Sequence, residues 1–259
     1  MTVAERAGQR LQIGRVVVLT LQTIRSNIIT LSALALIPAA PYAVLRYQSS
    51  LWVEGETLSM ALMLPFAAAI LSSYLLSAAT SIALVPDHAG RPASLGRCLA
   101  AVAKDFFPLV ALATIASFVS AIANLALWIY EFGFILLVPA LAIETLLAVI
   151  VPVRMIERRS IARTIARSIE LTAGNRWPVL LLLLLSLALM MVSDVIVYET
   201  IGDPALVEYT GTGLAALLSL IVSDIVISVV ASVATVIVYL EFRLIKEGVP
   251  PDSVAEVFD

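Results

Sequence analysis

The chain has 259 residues, is 61% hydrophobic and 14% charged, and carries a formal charge of −3, with a mean hydropathy of +1.03. Soluble globular chains run about 45–50% apolar and about 25% charged, so the composition excludes an ordinary soluble domain. The single cysteine, Cys98, excludes an intrachain disulfide and a multi-cysteine metal site.

A bilayer core about 30 Å thick needs about 20 mostly apolar residues per helix. In chain order the qualifying stretches are Asn27–Tyr47, Ser59–Val85, Pro108–Tyr130, Phe132–Arg154, Pro178–Tyr198 and Gly213–Tyr239. Their apolar runs are unbroken rather than alternating, which predicts helices and not a barrel. The expected fold class is therefore all-α, a polytopic membrane protein with six transmembrane helices in a single integral membrane domain covering residues 1–259.

Basic residues set the expected orientation. Arg6, Arg10, Arg15 and Arg25 precede the first span, and Arg91, Arg97 and Lys104 lie between the second and third. Arg154, Arg158, Arg159, Arg163, Arg167 and Arg176 lie between the fourth and fifth, and Arg243 and Lys246 follow the sixth. The opposite loops carry Glu54, Glu56, Glu131, Glu199, Asp203 and Glu208. The positive-inside rule then places both termini in the cytoplasm. The leader reads as uncleaved: its basic segment and first apolar run are too long for a signal peptide.

Each odd-numbered span is preceded by a segment that reads as an amphipathic helix at the cytoplasmic interface, about residues 8–25, 93–106 and 159–174. In each, an apolar residue stands two positions before an arginine: Ile13 and Arg15, Leu95 and Arg97, Ile161 and Arg163. Two of the three pass into the membrane through an aromatic-Pro pair, Phe107-Pro108 and Trp177-Pro178, and proline suits the first turn of a helix. The expected layout is three units, each an interfacial helix followed by a transmembrane hairpin. No pair of spans broken by Gly or Pro is expected.

The third interfacial segment is the most polar. At about 100° per residue, Ile161, Ile165 and Ile169 share one stripe, and Arg159, Arg163 and Arg167 the opposite one. The isoleucines are expected in the acyl boundary or against the bundle. The arginines, with Arg176, are candidates for anionic headgroup or phosphate contact, or for pairing with Glu157 and Glu170. Gly174-Asn175 supplies a helix stop.

At these residues the chain resembles the membrane domain associated with some glycerophosphoryl diester phosphodiesterases, also found as free-standing bacterial membrane proteins. The resemblance rests on Glu157, Ala166-Arg167-Ser168, Leu171-Thr172 and Gly174-Asn175-Arg176-Trp177, and on YLEFRLIKEGVPPDSVAEVFD from Tyr239 to Asp259. It implies a helical integral membrane protein without hydrolytic activity, because the phosphodiesterase domain of fused relatives has no counterpart here.

Acids within spans are the other candidates: Glu144 in the fourth, Asp224 in the sixth and Asp194 towards the outer end of the fifth. A carboxylate at the bilayer centre costs about 2.5–3.5 kcal/mol on insertion scales, so it faces the bundle interior or water. One use is a polar cavity for protons, cations or a headgroup. The other is a carboxyl hydrogen-bonded between helices, to Ser219, Ser223, Ser228 or Asn124.

His88 beside Asp87 cannot build a zinc site, and no Gly-rich phosphate loop, Ser-His-Asp set or CxxC occurs. No catalytic residue, metal, cofactor or nucleic-acid partner is expected. The small residues Ala67–Ala69, Ser72, Ser73, Ser77, Ala78 and Ala79 predict close helix packing, or a homomeric or heteromeric contact. A tail at 241–259 should dock through Val254, Val257 and Phe258. The expected function is a non-enzymatic, lipid-interacting scaffold or sensor at the cytoplasmic leaflet. The alternative is a transporter or lipid-translocating protein that uses the intramembrane carboxylates.

Overall fold

The computed structural model describes residues 10–50, 58–85, 94–128, 133–201 and 213–248. Residues 1–9, 51–57, 86–93, 129–132, 202–212 and 249–259 lie outside the described residues, and with them the expectations placed on His88 and on tail docking. Among the described residues the regular elements are all helices: α1 (Ile13–Ser50), α2 (Leu58–Leu84), α3 (Leu95–Lys104), α4 (Phe106–Trp128), α5 (Gly133–Leu147), α6 (Ile150–Glu157), α7 (Ile161–Thr172), α8 (Arg176–Ile201) and α9 (Gly213–Glu247). Five helical stretches among them are long and apolar enough to cross a bilayer, or six if the bent pair α3–α4 counts as one. This is the architecture of a membrane-embedded helical bundle.

Helices α2 and α9 form its centre. Helix α2 packs on α1, α4, α6 and α9, while α9 also meets α8 and the ends of α6 and α7. The small-residue face of α2 is used in this packing: Ala78 and Ala79 are buried, and Ser72 Oγ donates to the Pro38 carbonyl of α1 at 2.7 Å. Small side chains let the backbones approach closely enough for that bond. One apolar cluster joins Val16, Val153, Ile156, Leu171, Tyr239 and Phe242; a second joins Leu34, Leu76, Cys98, Leu109, Leu112 and Met155.

The chain bends near each of the three places where a junction was expected. Helix α1 runs through the first junction but leaves helical geometry at Asn27 (φ −123°, ψ 20°). Asp105 (φ −99°, ψ 16°) separates α3 from α4, which meet at 71°. Between α7 and α8, Thr172–Asn175 forms a type II turn, with Ala173 at φ −57°, ψ 131°, Gly174 at φ +84° and Asn175 N–H donating to the Thr172 carbonyl at 3.0 Å. That turn needs positive φ at its third residue, which only glycine adopts without strain.

Each bend therefore carries Asn or Asp, and the burial pattern around it repeats. Leu31, Leu109 and Val179, each four residues after the Asx, are buried. Val16, Cys98 and Thr164, each directly after the arginine of its segment, are buried as well. At the second and third junctions the Asx carbonyl accepts the first bond of the next helix, from Leu109 N–H at 3.0 Å and Val179 N–H at 3.2 Å. Pro108 and Pro178 sit in the first turn, where no bond is lost.

The fourth span differs from expectation: it is broken. Helix α5 ends at Leu147 and α6 starts at Ile150, with Val149 at φ −111°, ψ 19°. Pro152 is the cause. It has no N–H for the Ala148 carbonyl four residues earlier, and its ring clashes with that carbonyl. Ile135–Glu157 nevertheless remains one apolar stretch long enough to cross a bilayer.

Candidate functional site

Two polar regions stand out: a charged rim where α1, α6, α7 and α9 end, and a cavity beside the broken fourth span.

The rim is built around Glu157, the last residue of α6. Arg158 follows it in the left-handed region (φ 48°, ψ 37°), which reverses the chain so that α7 folds back along α6. Thr164, Ser168, Leu171 and Thr172 form the buried face of α7, with Ile161 and Ile165 packed beside them on the bundle and Ile169 at the exposed margin. Hydroxyls are tolerated on this packed face because each is satisfied. Thr164 and Thr172 donate back to the Ser160 and Ser168 carbonyls at 3.0 Å, and Ser168 donates to the Leu146 carbonyl beside the break at 2.7 Å.

Arg167 stands next to Leu171 on the helical wheel, at the edge of the buried face. It turns inward instead of towards headgroups. Its Nε lies 3.3 Å from Glu157 Oε1, its Nη1 3.0 Å from Glu170 Oε2, and its Nη2 contacts Glu247 of α9. Tyr239 donates to Glu157 Oε1 at 3.2 Å, Arg159 Nε lies 2.7 Å from Glu157 Oε2, and Arg243 holds Glu247 at 2.9 Å. Lys246 donates to the Glu170 carbonyl. Burial alone would lower the Arg167 pKa, but the bond to Glu170 and the charge of Glu157 outweigh it and hold it above the ordinary arginine value. The hydrogen bond from Arg167, then its charge, hold the Glu170 carboxyl below its usual range.

Further pairs close the ends of the bundle. Arg15 Nε lies 3.1 Å from Glu241 Oε1, and Arg154 pairs with Asp105 at the α3–α4 bend. Asn175 Oδ1 accepts from the Leu11 N–H at 2.9 Å, a buried bond that ties the start of the chain to the third junction.

Of the four candidate arginines, Arg167 is thus consumed within the fold and Arg159 is half-exposed on Glu157. Arg163 and Arg176 are exposed and make no ion pair among the described residues. Beside Arg176, Trp177 is 76% exposed, and Phe107 at the same place in the second junction is 82% exposed. Sequence reasoning missed Glu241, Glu247, Tyr239 and the Asp105–Arg154 pair, whose partners are far apart along the chain.

The cavity has a volume of about 280 Å³ and is lined from α2 by Ser73, Tyr74 and Ser77, from α4 by Ser120, from α5 by Glu144, and from α9 by Ser232 and Thr235. Leu147, Ala148, Ile150 and Val151 at the break complete the wall. Ser120 Oγ donates to Glu144 Oε1 at 2.7 Å. The Ser77 hydroxyl is buried with no hydrogen-bond partner among the described residues. Among the described lining residues only Glu144 and Tyr74 are titratable, and none is basic.

Asp224 does not share this cavity. Its carboxylate accepts from Tyr42 of α1, joining α1 to α9. Ser223, expected as a partner for the acids, instead bonds Ser193 of α8. The side chains of Asp194 and Asn124 lie outside the described residues. No group of three or more His, Cys, Asp and Glu capable of holding a metal occurs among the described residues. No family model, curated protein or solved structure matches the chain.

Proposed function

We propose that the chain is a non-enzymatic integral membrane protein that contacts anionic lipid at the cytoplasmic leaflet. In this reading it crosses an inner membrane six times, with both termini in the cytoplasm. The start of α1, together with α3 and α7, lies at the interface as the amphipathic helix of three successive units. The resemblance to the membrane domain of the phosphodiesterase family belongs to the same proposal. The alternation of polar bends and apolar spans supports it.

One observation carries the lipid assignment: the division of labour among the arginines. Glu157, Glu170 and Glu247 face Arg159, Arg167 and Arg243, so the network at the heart of the rim is close to neutral and anchors α7 rigidly. Arg163 and Arg176 are left outside it and exposed. Cations held on a fixed helix lose little freedom when they meet a phosphate, and anionic lipids attract each by about 1 kcal/mol near the surface. Exposed Phe107 and Trp177 are the aromatic anchors that such an interface favours.

Native mass spectrometry of the protein released from mixed phosphatidylglycerol–phosphatidylcholine nanodiscs tests this. Preferential retention of phosphatidylglycerol, reduced several-fold by Arg163→Ala with Arg176→Ala, is the expected result. Equal retention of the two lipids, unchanged in the double variant, would contradict it. The second reading, transport through the bundle, is favoured by the cavity at Glu144, whose break in an apolar span has the form of many transporter sites.

A further inference from the structure

We infer that the cavity at the broken fourth span is a binding site for a monovalent metal cation, held by the Glu144 carboxylate, the Ser77 and Ser120 hydroxyls and the Ala148 carbonyl. This goes beyond lipid contact at the rim and does not depend on it; it gives the transport reading a ligand.

A carboxylate in an apolar helix must be neutralised by a cation or a proton. Among the described residues no basic side chain lines the cavity, so the described wall supplies no counter-charge there. A proton would suffice for neutrality, but it needs no cavity and no further ligands. The surroundings of Glu144 are instead rich in oxygen, the ligand type of hard cations. Ser120 is bonded to Glu144 Oε1 at 2.7 Å and offers its own lone pairs to an ion beside that oxygen. Ser77 lines the same space with a hydroxyl that has no partner among the described residues, and one χ1 rotation re-aims it. Ser232 and Thr235 add hydroxyls from α9.

The backbone contributes the remaining ligand. Pro152 deprives the Ala148 carbonyl of its helical donor, and Ala148 lines the cavity. A carbonyl released at a break and lining a cavity is how unwound membrane helices coordinate ions. The Leu146 carbonyl beside the break already accepts from Ser168 Oγ at 2.7 Å.

Valence follows from the single carboxylate. One negative charge balances one positive charge, whereas a divalent ion would leave a net charge in a low-dielectric interior. The space of about 280 Å³ also holds several waters at about 30 Å³ each, so the ion retains part of its hydration.

Thermal unfolding of the full chain in detergent at constant ionic strength, with choline chloride exchanged for NaCl, KCl or CaCl2, tests the inference. Stabilisation that saturates with Na⁺ or K⁺ is expected, absent in Glu144→Gln. A Ser77→Ala, Ser120→Ala variant, which keeps the carboxylate, should need at least tenfold more cation for the same effect. It serves as the readout if Glu144→Gln fails to fold. Wild-type protein equally stable in choline, or both variants responding like wild type, would overturn the site. A stronger response to Ca²⁺ than to either monovalent ion would overturn its valence. Lipid retention at the rim is read separately, so either proposal can fail alone.

Discussion

Arg167 and Glu157 are ten residues apart and on different helices, yet Nε of one lies 3.3 Å from Oε1 of the other, with both side chains about nine-tenths buried. This pair joins α6 to α7, and the reach of Arg167 to Glu247 brings in α9. Removing one member leaves the other buried with its charge incompletely balanced, which costs about 3–5 kcal/mol. Glu157→Gln and Arg167→Gln should each lower stability by about 3 kcal/mol, the low end because Arg159, Glu170 and Glu247 remain. Graded SDS unfolding reads this. The double variant should lose less than the sum of the singles, and strict additivity would show that the pair is not coupled.

Glu170 gives the rim a pH dependence. Its folded-state pKa lies below the unfolded value because Arg167 bonds it and is charged beside it. Its contribution is therefore present above the unfolded carboxylate value, about 4.3, and is lost as pH falls through the lower folded value. Glu170→Gln should flatten the acid limb of the stability profile and leave the neutral region nearly parallel to wild type.

Gly174 isolates a backbone effect. Its φ is +84°, and a Cβ placed there meets nothing within 4 Å, so Gly174→Ala should lose only the left-handed penalty, about 1–2 kcal/mol. Gly174→Asn should lose less, since asparagine tolerates this region. Melting temperatures of the two variants in one detergent decide the order.

Asn175 tests the tie to the amino-terminal segment. Asn175→Ala would strip the buried Leu11 N–H of its acceptor, at about 1–3 kcal/mol, while Asn175→Asp keeps an acceptor oxygen. Limited proteolysis should cut ahead of α1 faster in the alanine variant than in the aspartate variant.

The long helices were legible as apolar runs, and α1 kinks at Asn27, the residue at which the first apolar stretch was read to begin, although the helix continues through it. The shared Asx at the three bends was also in the sequence, as Asn27, Asp105 and Asn175, but its meaning depends on bends that composition does not display. The break in α5–α6 was hidden because Leu146–Val153 is uniformly apolar apart from Pro152, and hydropathy does not register a missing N–H. The rim network was less accessible still. Arg15 meets Glu241 across 226 positions, and Arg167 reaches Glu247 on another helix, so only the packing of α1, α7 and α9 brings these charges together. Helical periodicity put Arg167 with Arg159 and Arg163, yet a guanidinium at the edge of a buried face can turn either way, and a nearby carboxylate decides which.

The central claim is that the arginine-bearing rim faces the cytoplasm. In a Cys98→Ser background, Arg163→Cys places a thiol on the exposed face of α7, free of competition from the buried native cysteine. The account predicts that a membrane-impermeant maleimide labels this thiol in inside-out vesicles and leaves it unlabelled in intact cells. Labelling from outside intact cells would contradict it.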